Sequence, residues 1–382
     1  MADPVYKVSP HIWLQGYLEK FQAANILTGR RLLFEENELA EFLRFGVGAE
    51  LQPDHPLHKR MLEADLLVGT DATASSDTPR LEMLAKRVTR FLAEFLETSR
   101  SKVEARFPTL SERLSETQRV LMNQLGHLPE ARRTVVEKDL GVVFSHVQSF
   151  LDKEMAGTEF TFQTDFLIKT AGRPLPREDY EQQPCLPETS QRRLEMARGL
   201  LREDSRGLIL GDDDLLSLYW SLEFSQPCDV FELDDELIDF LTPQLSNNVT
   251  LRTRDLTQGL PPEFCGRYDL VFTDPMYERK GMDLFLQCCA DALSDHPQAR
   301  VLFTTRQDMI DDGELLEDRF TQVGLEVEKR FKDFSRYRLP DFYRRKLLKG
   351  FHQAGLSPQL VDGLSQIPYL YADMFWLKKV TS

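Results

Sequence analysis

Three short apolar runs that each end in a carboxylate constrain the fold of this chain more than any other feature. Residues 207–211 (Gly-Leu-Ile-Leu-Gly) lead directly into three consecutive aspartates. Residues 230–232 (Val-Phe-Glu) and 268–274 (Tyr-Asp-Leu-Val-Phe-Thr-Asp) repeat the pattern downstream. Short apolar runs bounded by glycine or acidic residues indicate buried parallel strands. Because ligands bind outside the carboxyl ends of such strands in doubly wound sheets, the runs predict one crevice lined by acids.

The C-terminal half of the chain alternates between strand and helix patterns. Strands are predicted at 207–211, 228–233, 249–253, 268–273 and 300–304, with closing strands at 327–334 and 372–378. Helices are predicted at 213–224, 235–244, 281–293 and 342–354. This alternation predicts an α/β fold in which helices cover both faces of a doubly wound parallel sheet.

The N-terminal half shows helical periodicity and no chemical motif. Apolar residues recur at helix spacing over 81–96 and 110–125, and residues 142–151 indicate a further helix. The segment 172–176 (Gly-Arg-Pro-Leu-Pro) has the composition of a linker. We therefore predict a mainly helical N-terminal domain at 1–170 and a catalytic domain at 171–382. The apolar stripes leave formation of a homodimer open.

Composition restricts the classes of partner. The 382 residues carry a formal net charge of −15, which disfavours nucleic acid and favours a cationic small molecule such as an amine or polyamine. No apolar run is long enough to span a membrane, and the N-terminus lacks an apolar signal core, so a cytoplasmic protein without a membrane partner is expected. The five cysteines show no C-x-x-C spacing, and His55 and His58 flank a proline without further ligands, so no metal is expected.

The aspartates after the first strand indicate the charge of the ligand. A dinucleotide site requires G-x-G-x-x-G here, whereas three carboxylates would repel a phosphate. A nucleoside that carries a sulfonium fits better, either S-adenosylmethionine or its decarboxylated form. We assign Gly211 and Asp212 to the cofactor and Asp214 to the substrate. One of the three aspartates is expected to cap the following helix.

The tips of the next strands supply the remaining candidates. Glu232 lies twenty-one residues after Gly211, where an acid accepts hydrogen bonds from ribose hydroxyls. Asp255 follows the third strand and is assigned to the adenine amino group. Asp274 ends the fourth strand, where a carboxylate can accept the proton of an attacking amine. Tyr277 and Glu278 follow it and are assigned to the substrate.

A set of motifs resembles one known family. The set comprises Pro187-Glu188-Thr189, Arg192-Arg193, the Gly-Asp-Asp-Asp-Leu turn at 211–215, and Asp274-Pro275. Over roughly 170–380 it resembles the branched-chain polyamine synthases, which are N4-bis(aminopropyl)spermidine synthases. This resemblance implies a class I methyltransferase-like (Rossmann-type) fold and aminopropyl transfer from decarboxylated S-adenosylmethionine to an amine. It also implies that Asp213 acts in catalysis or binds the substrate amine.

Two other functions remain open at this point. The Asp-Pro-Met-Tyr sequence at 274–277 loosely resembles the Asp-Pro-Pro-Tyr of amino-methylating enzymes, so a methyltransferase that uses S-adenosylmethionine on an amine or nucleobase is the alternative. Basic residues favour it, although such a run is more typical of a solvated face: Lys329, Arg330, Lys332, Arg336, Arg338, Arg344, Arg345 and Lys346. In the third reading, the helical half binds a protein and the sheet has no catalytic role.

Overall fold

The computed structural model describes most of the C-terminal half and parts of the N-terminal half. It covers residues 5–9, 12–17, 20–25, 30–35, 38, 41–42, 45, 49–69, 97, 100–101, 118–119, 122–123, 125–154, 166, 169–170, 173–174, 176–276, 279–307, 315–338, 348–351, 353–354 and 367–380. Contacts divide the chain into two compact units. The first comprises Met1–Phe95 and Phe160–Arg177, and the second comprises Leu96–Glu159 and Glu178–Ser382. Residues 96–159 thus group with the sheet and not with the first residues of the chain.

The first unit contains two small antiparallel sheets. Its elements are β1 (Val5–Val8), β2 (Ile12–Tyr17), β3 (Lys20–Asn25), β4 (Arg31–Glu35), β5 (Ala49–Glu50), α1 (Pro56–Glu63) and β6 (Leu67–Gly69). The strand orders are β5-β1-β6 and β2-β3-β4. These strands are not predicted from the sequence, because most of them show neither a continuous apolar run nor a regular alternation of apolar and polar residues. Phe34, Phe42, Phe45 and Met61 are fully buried in their shared core.

The second unit is built on a seven-stranded sheet. Its strands are β7 (Gly207–Leu210), β8 (Cys228–Glu232), β9 (Val249–Thr253), β10 (Leu270–Thr273), β11 (Arg300–Thr305), β12 (Leu325–Arg338) and β13 (Tyr369–Lys379). The order is β12-β13-β11-β10-β7-β8-β9, and β13 is antiparallel to both of its neighbours. This is the topology of class I methyltransferases. The predicted α/β fold and the seven predicted strands are confirmed.

Helices pack around this sheet in the described part of the chain. They are α2 (Glu130–Lys153), α3 (Pro187–Ala197), α4 (Leu216–Glu223), α5 (Asp235–Leu241), α6 (Arg279–Ala292) and α7 (Leu316–Gln322). The predicted helix at 142–151 is confirmed as part of the longer α2. The predicted helices at 81–96 and 342–354 lie largely outside the described residues. None of the described helices is long and apolar enough to cross a membrane.

The strand order creates a switch point between β7 and β10. These two strands are parallel neighbours, with Leu210 opposite Thr273, and the chain continues from β7 to β8 on the other side. Ligands bind at such switch points in doubly wound sheets. The start of β7 is closely packed, because Trp220 of α4 lies against Gly207 and is fully buried. The residues that follow β7 and β10 therefore meet at the edge where a ligand is expected.

Candidate functional site

Asp212 stabilises the turn between β7 and α4. Gly211 has a φ of 71° and Leu215 a φ of 56°, so the chain turns tightly before α4 begins at Leu216. The Asp212 carboxylate accepts hydrogen bonds from the backbone N–H (3.2 Å) and the hydroxyl of Ser217 in the first turn of α4. Burial raises the pKa of Asp212 to about 7, and the hydrogen bonds from Ser217 oppose this rise. Asp212 thus binds the first turn of α4, although the N-cap position itself is Leu215, and its assignment to the cofactor stays a prediction.

Asp213 and Asp214 meet the segment that precedes α3. The Asp213 Oδ2 accepts the backbone N–H of Gln183 at 3.1 Å, and this side chain is only partly buried. The Asp214 Oδ1 accepts the backbone N–H of Cys185 at 2.6 Å, and its Oδ2 forms an ion pair with Arg193. Asp214 is buried, whereas Asp213 is the more exposed of the two. Asp213 is therefore the better placed to meet a ligand.

Arg193 joins the turn after β7 to the end of β10. One of its guanidinium nitrogens binds Asp214, and the other lies 2.6 Å from the Asp274 Oδ2. The same nitrogen, which carries two N–H groups, also lies within hydrogen-bond distance of the Ser335 hydroxyl (2.8 Å) and the Tyr337 hydroxyl (3.1 Å) of β12. The Tyr337 hydroxyl in turn donates to Asp274. Sequence reasoning did not give Arg193 a role, and the only signal was its place in the Pro-Glu-Thr and Arg-Arg motif.

The ionisation of Asp274 reflects opposing effects. Its side chain is 10% exposed, and burial raises its pKa to about 7. The neighbouring Asp214 also raises the pKa of Asp274, whereas Arg193 and the hydrogen bond from Tyr337 lower it. A carboxyl group with a pKa near neutrality is suited to exchange protons with a substrate.

Glu232 is held at the tip of β8 by three backbone groups. Its Oε2 accepts the N–H of Asp212 at 2.7 Å, and its Oε1 accepts the N–H groups of Leu233 (2.8 Å) and Asp234 (3.0 Å). An ionised carboxylate offers about four acceptor sites, so one further donor such as a ribose hydroxyl fits. Glu232 thus links the turn after β7 to the tip of β8.

Asp255 forms local hydrogen bonds next to this tip. It accepts the backbone N–H (2.9 Å) and the hydroxyl (2.6 Å) of Thr257, which lower its pKa, and it caps a short 3-10 turn. The preceding residue, Arg254, donates its N–H to the backbone oxygen of Glu232 at 2.8 Å. Asp255 therefore lies near the β8 tip, and its assignment to adenine stays a prediction. Tyr277 and Glu278 lie outside the described residues.

The structure defines the surroundings of Arg336 and His58. Arg336 is not on a solvated face, because it is buried between Glu154 (2.7 Å) and Glu188. Burial at the junction of β12, α2 and α3 requires the arginine to be paired. The His58 Nε2 lies 2.7 Å from the Glu41 carboxylate, and within the described ranges no group of His, Cys, Asp and Glu side chains could hold a metal ion.

The C-terminal half of the chain is similar to a known protein family. Residues 163–345 match the model of the branched-chain polyamine synthase A C-terminal domain. The match confirms the family resemblance predicted from the sequence. A protein of Methanocaldococcus jannaschii without a characterised function is 30% identical over 171 residues, which is 43% of each chain.

Solved structures of other proteins are similar to part of this chain. The C9 mutein of branched-chain polyamine synthase from Thermus thermophilus, in complex with N4-aminopropylspermidine and 5'-methylthioadenosine, is 19% identical with a TM-score of 0.46. That comparison covers 56% of this chain and 62% of the Thermus chain. A putative RNA methyltransferase from Pyrococcus horikoshii is 18% identical with a TM-score of 0.39, covering 55% of this chain and 92% of its own. The chain thus spans less than two thirds of the Methanocaldococcus and Thermus proteins.

Proposed function

We propose that this protein is an aminopropyltransferase. Its donor is decarboxylated S-adenosylmethionine, and its acceptor is an amine of the polyamine class. The observation that carries the proposal is the group of carboxylates at the β7–β10 switch point, within the segment that matches the branched-chain polyamine synthase domain. A cationic donor and a cationic acceptor both suit such a site, and a phosphate-bearing cofactor does not.

The donor fits the tips of β7, β8 and β9. Glu232 has acceptor capacity for a ribose hydroxyl beyond its three backbone partners. Gly211 and Asp212 form the turn beside it, and Asp255 follows the neighbouring strand β9. In this arrangement the nucleoside lies across the three strand tips, and the sulfonium points towards the carboxylates after β7 and β10.

The reaction is a nucleophilic displacement. The acceptor nitrogen attacks the methylene carbon bound to sulfur, so a C–N bond forms while the C–S bond breaks. Sulfur keeps the electron pair of the broken bond and leaves as 5'-methylthioadenosine. The new ammonium loses one proton, for which Asp274 is the proposed acceptor. We assign Asp213 to holding the amine in line, and Asp214, Tyr277 and Glu278 to the acceptor side.

The test is product analysis with both sulfonium donors. Purified protein is incubated with spermidine and either decarboxylated S-adenosylmethionine or S-adenosylmethionine, and mass spectrometry follows the products. We expect 5'-methylthioadenosine and an acceptor heavier by one or more aminopropyl groups with the first donor. S-adenosylhomocysteine and a methylated product with the second donor would show the alternative, a methyltransferase. Inactivity with both donors across amine, RNA and DNA acceptors would favour a non-enzymatic role.

A further inference from the structure

The Arg193 side chain lies at the switch point between β7 and β10. Its guanidinium contacts the carboxylates that follow β7 and β10, the two strands between which the sheet reverses. The side chain is 3% exposed, so these charges interact with little screening by water. Arg193 also reaches β12 through Ser335 and Tyr337, which are two residues apart on one strand and so share a face. A single side chain therefore fixes three chain segments at the edge where a ligand is expected.

The charges around Asp274 come from three elements. Arg193 approaches from α3, Asp214 from the turn after β7, and Tyr337 from β12. The Cys185 thiol lies nearby, but burial raises its pKa well above the usual range and keeps it neutral. Arg193 is thus the cation among these groups. Without it, two buried carboxylates would face one another, and one of them would take up a proton.

We propose that Arg193 is a positioning residue that favours the ionised form of the Asp274 carboxylate and orients it, so that Asp274 can accept the proton of the reacting amine. The inference rests on the proposed function for the identity of that amine. The charge on Asp274, in contrast, follows from the geometry of the resting protein alone. Two measurements can therefore separate the inference from the proposed function.

The variants are chosen to separate charge from shape. Arg193→Gln removes the charge, and Arg193→Lys keeps a charge but cannot bridge two carboxylates and two hydroxyls as the planar guanidinium does. Arg192→Gln is the matched control, because Arg192 is the adjacent residue, is 41% exposed and pairs with Glu188. Removal of one partner from a buried ion pair can be strongly destabilising, so circular dichroism checks that each variant is folded. If Arg193→Gln does not fold, Arg193→Lys and Tyr337→Phe take its place.

The first measurement requires no substrate. Protein labelled with ¹³C at the aspartate carboxyl carbons is titrated by NMR, and the Asp274 resonance is assigned by its loss in Asp274→Asn. We expect Arg193→Gln to raise the pKa of Asp274 by roughly 1–3 pH units. Arg193→Lys should raise it less, and Arg192→Gln should leave it at the wild-type value. An unchanged pKa of Asp274 in folded Arg193→Gln would overturn the inference.

The second measurement is the pH dependence of kcat for aminopropyl transfer. The acidic limb should move to higher pH in Arg193→Gln by the same amount as the NMR titration, with little change in KM for the donor. A limb that stays in place while kcat falls at all pH values would indicate a merely structural role and overturn the inference. If the wild type transfers no aminopropyl group but the NMR shift is present, the ionisation of Asp274 by Arg193 is supported and the proposed function fails.

Discussion

Replacement of Glu232 by alanine should weaken both the fold and nucleoside binding. The sequence alone predicts a loss of binding without unfolding. The structure adds a cost, because the carboxylate accepts three backbone N–H groups at 2.7, 2.8 and 3.0 Å and is 7% exposed. A hydrogen bond to a charged group contributes about 1.5–3 kcal/mol, but water can enter the alanine variant and satisfy part of the loss. We therefore expect the free energy of unfolding to fall by about 3 kcal/mol in total.

The effect on the ligand is separable from the effect on the fold. Loss of one charge-assisted bond to a ribose hydroxyl should weaken the affinity for 5'-methylthioadenosine roughly 10- to 150-fold. Glu232→Gln keeps one oxygen but places an amide donor against a backbone N–H, so its stability should lie between wild type and Glu232→Ala. Urea denaturation gives the free energy of unfolding, and isothermal titration calorimetry below the transition gives the affinity.

The control is Glu236→Ala, four residues away on the exposed side of α5. Its free energy of unfolding should stay within about 0.5 kcal/mol of wild type. If Glu232→Ala matched this control in stability, the three backbone hydrogen bonds would carry no net energy and the structural argument would be refuted. If it matched the control in affinity, the ribose assignment would be refuted.

Further predictions concern packing, proton transfer, the amine and its competitors. Gly207→Ala should lower the free energy of unfolding by about 1–3 kcal/mol, because the new Cβ would lie 2.6 Å from the Trp220 ring; wild-type stability by urea denaturation would contradict this. The kcat should fall below about pH 7, since burial raises the pKa of Asp274 to about 7 and its protonated form cannot accept a proton. If the same fall in kcat persists in Asp274→Asn, another group is responsible for it. Asp213→Asn should reduce kcat roughly 10²- to 10⁴-fold while the affinity for 5'-methylthioadenosine stays near wild type. A normal kcat in this variant would show that Asp213 does not take part in the reaction. Spermidine should be consumed or should compete with the acceptor, whereas RNA and DNA should leave the reaction unchanged; tight RNA binding with spermidine inert would favour the methyltransferase.

The N-terminal strands show where sequence patterns lose information. Ile12 and Ala23 are fully buried, but β2 and β3 each have six residues and no regular alternation. Strands without a clear apolar pattern depend on partners across the sheet more than on their own composition. The long helix α2 differs from these strands, because its apolar residues recur at helix spacing and place one face in the core. Its periodicity could therefore be predicted without knowledge of its partner.

The sequence by itself determined the sheet and the positions of the acids. Short apolar runs bounded by glycine or acidic residues favour buried strands that satisfy their backbone groups by pairing, and the carboxylates that end parallel strands then lie at one edge of the sheet. The tertiary structure decided which of these acids are already engaged. Asp212 binds the first turn of α4, Glu232 binds three backbone groups, and Asp214 and Asp274 share Arg193. Arg193 is 81 residues from Asp274 and 144 from Tyr337, and only the fold brings their charges and dipoles within reach.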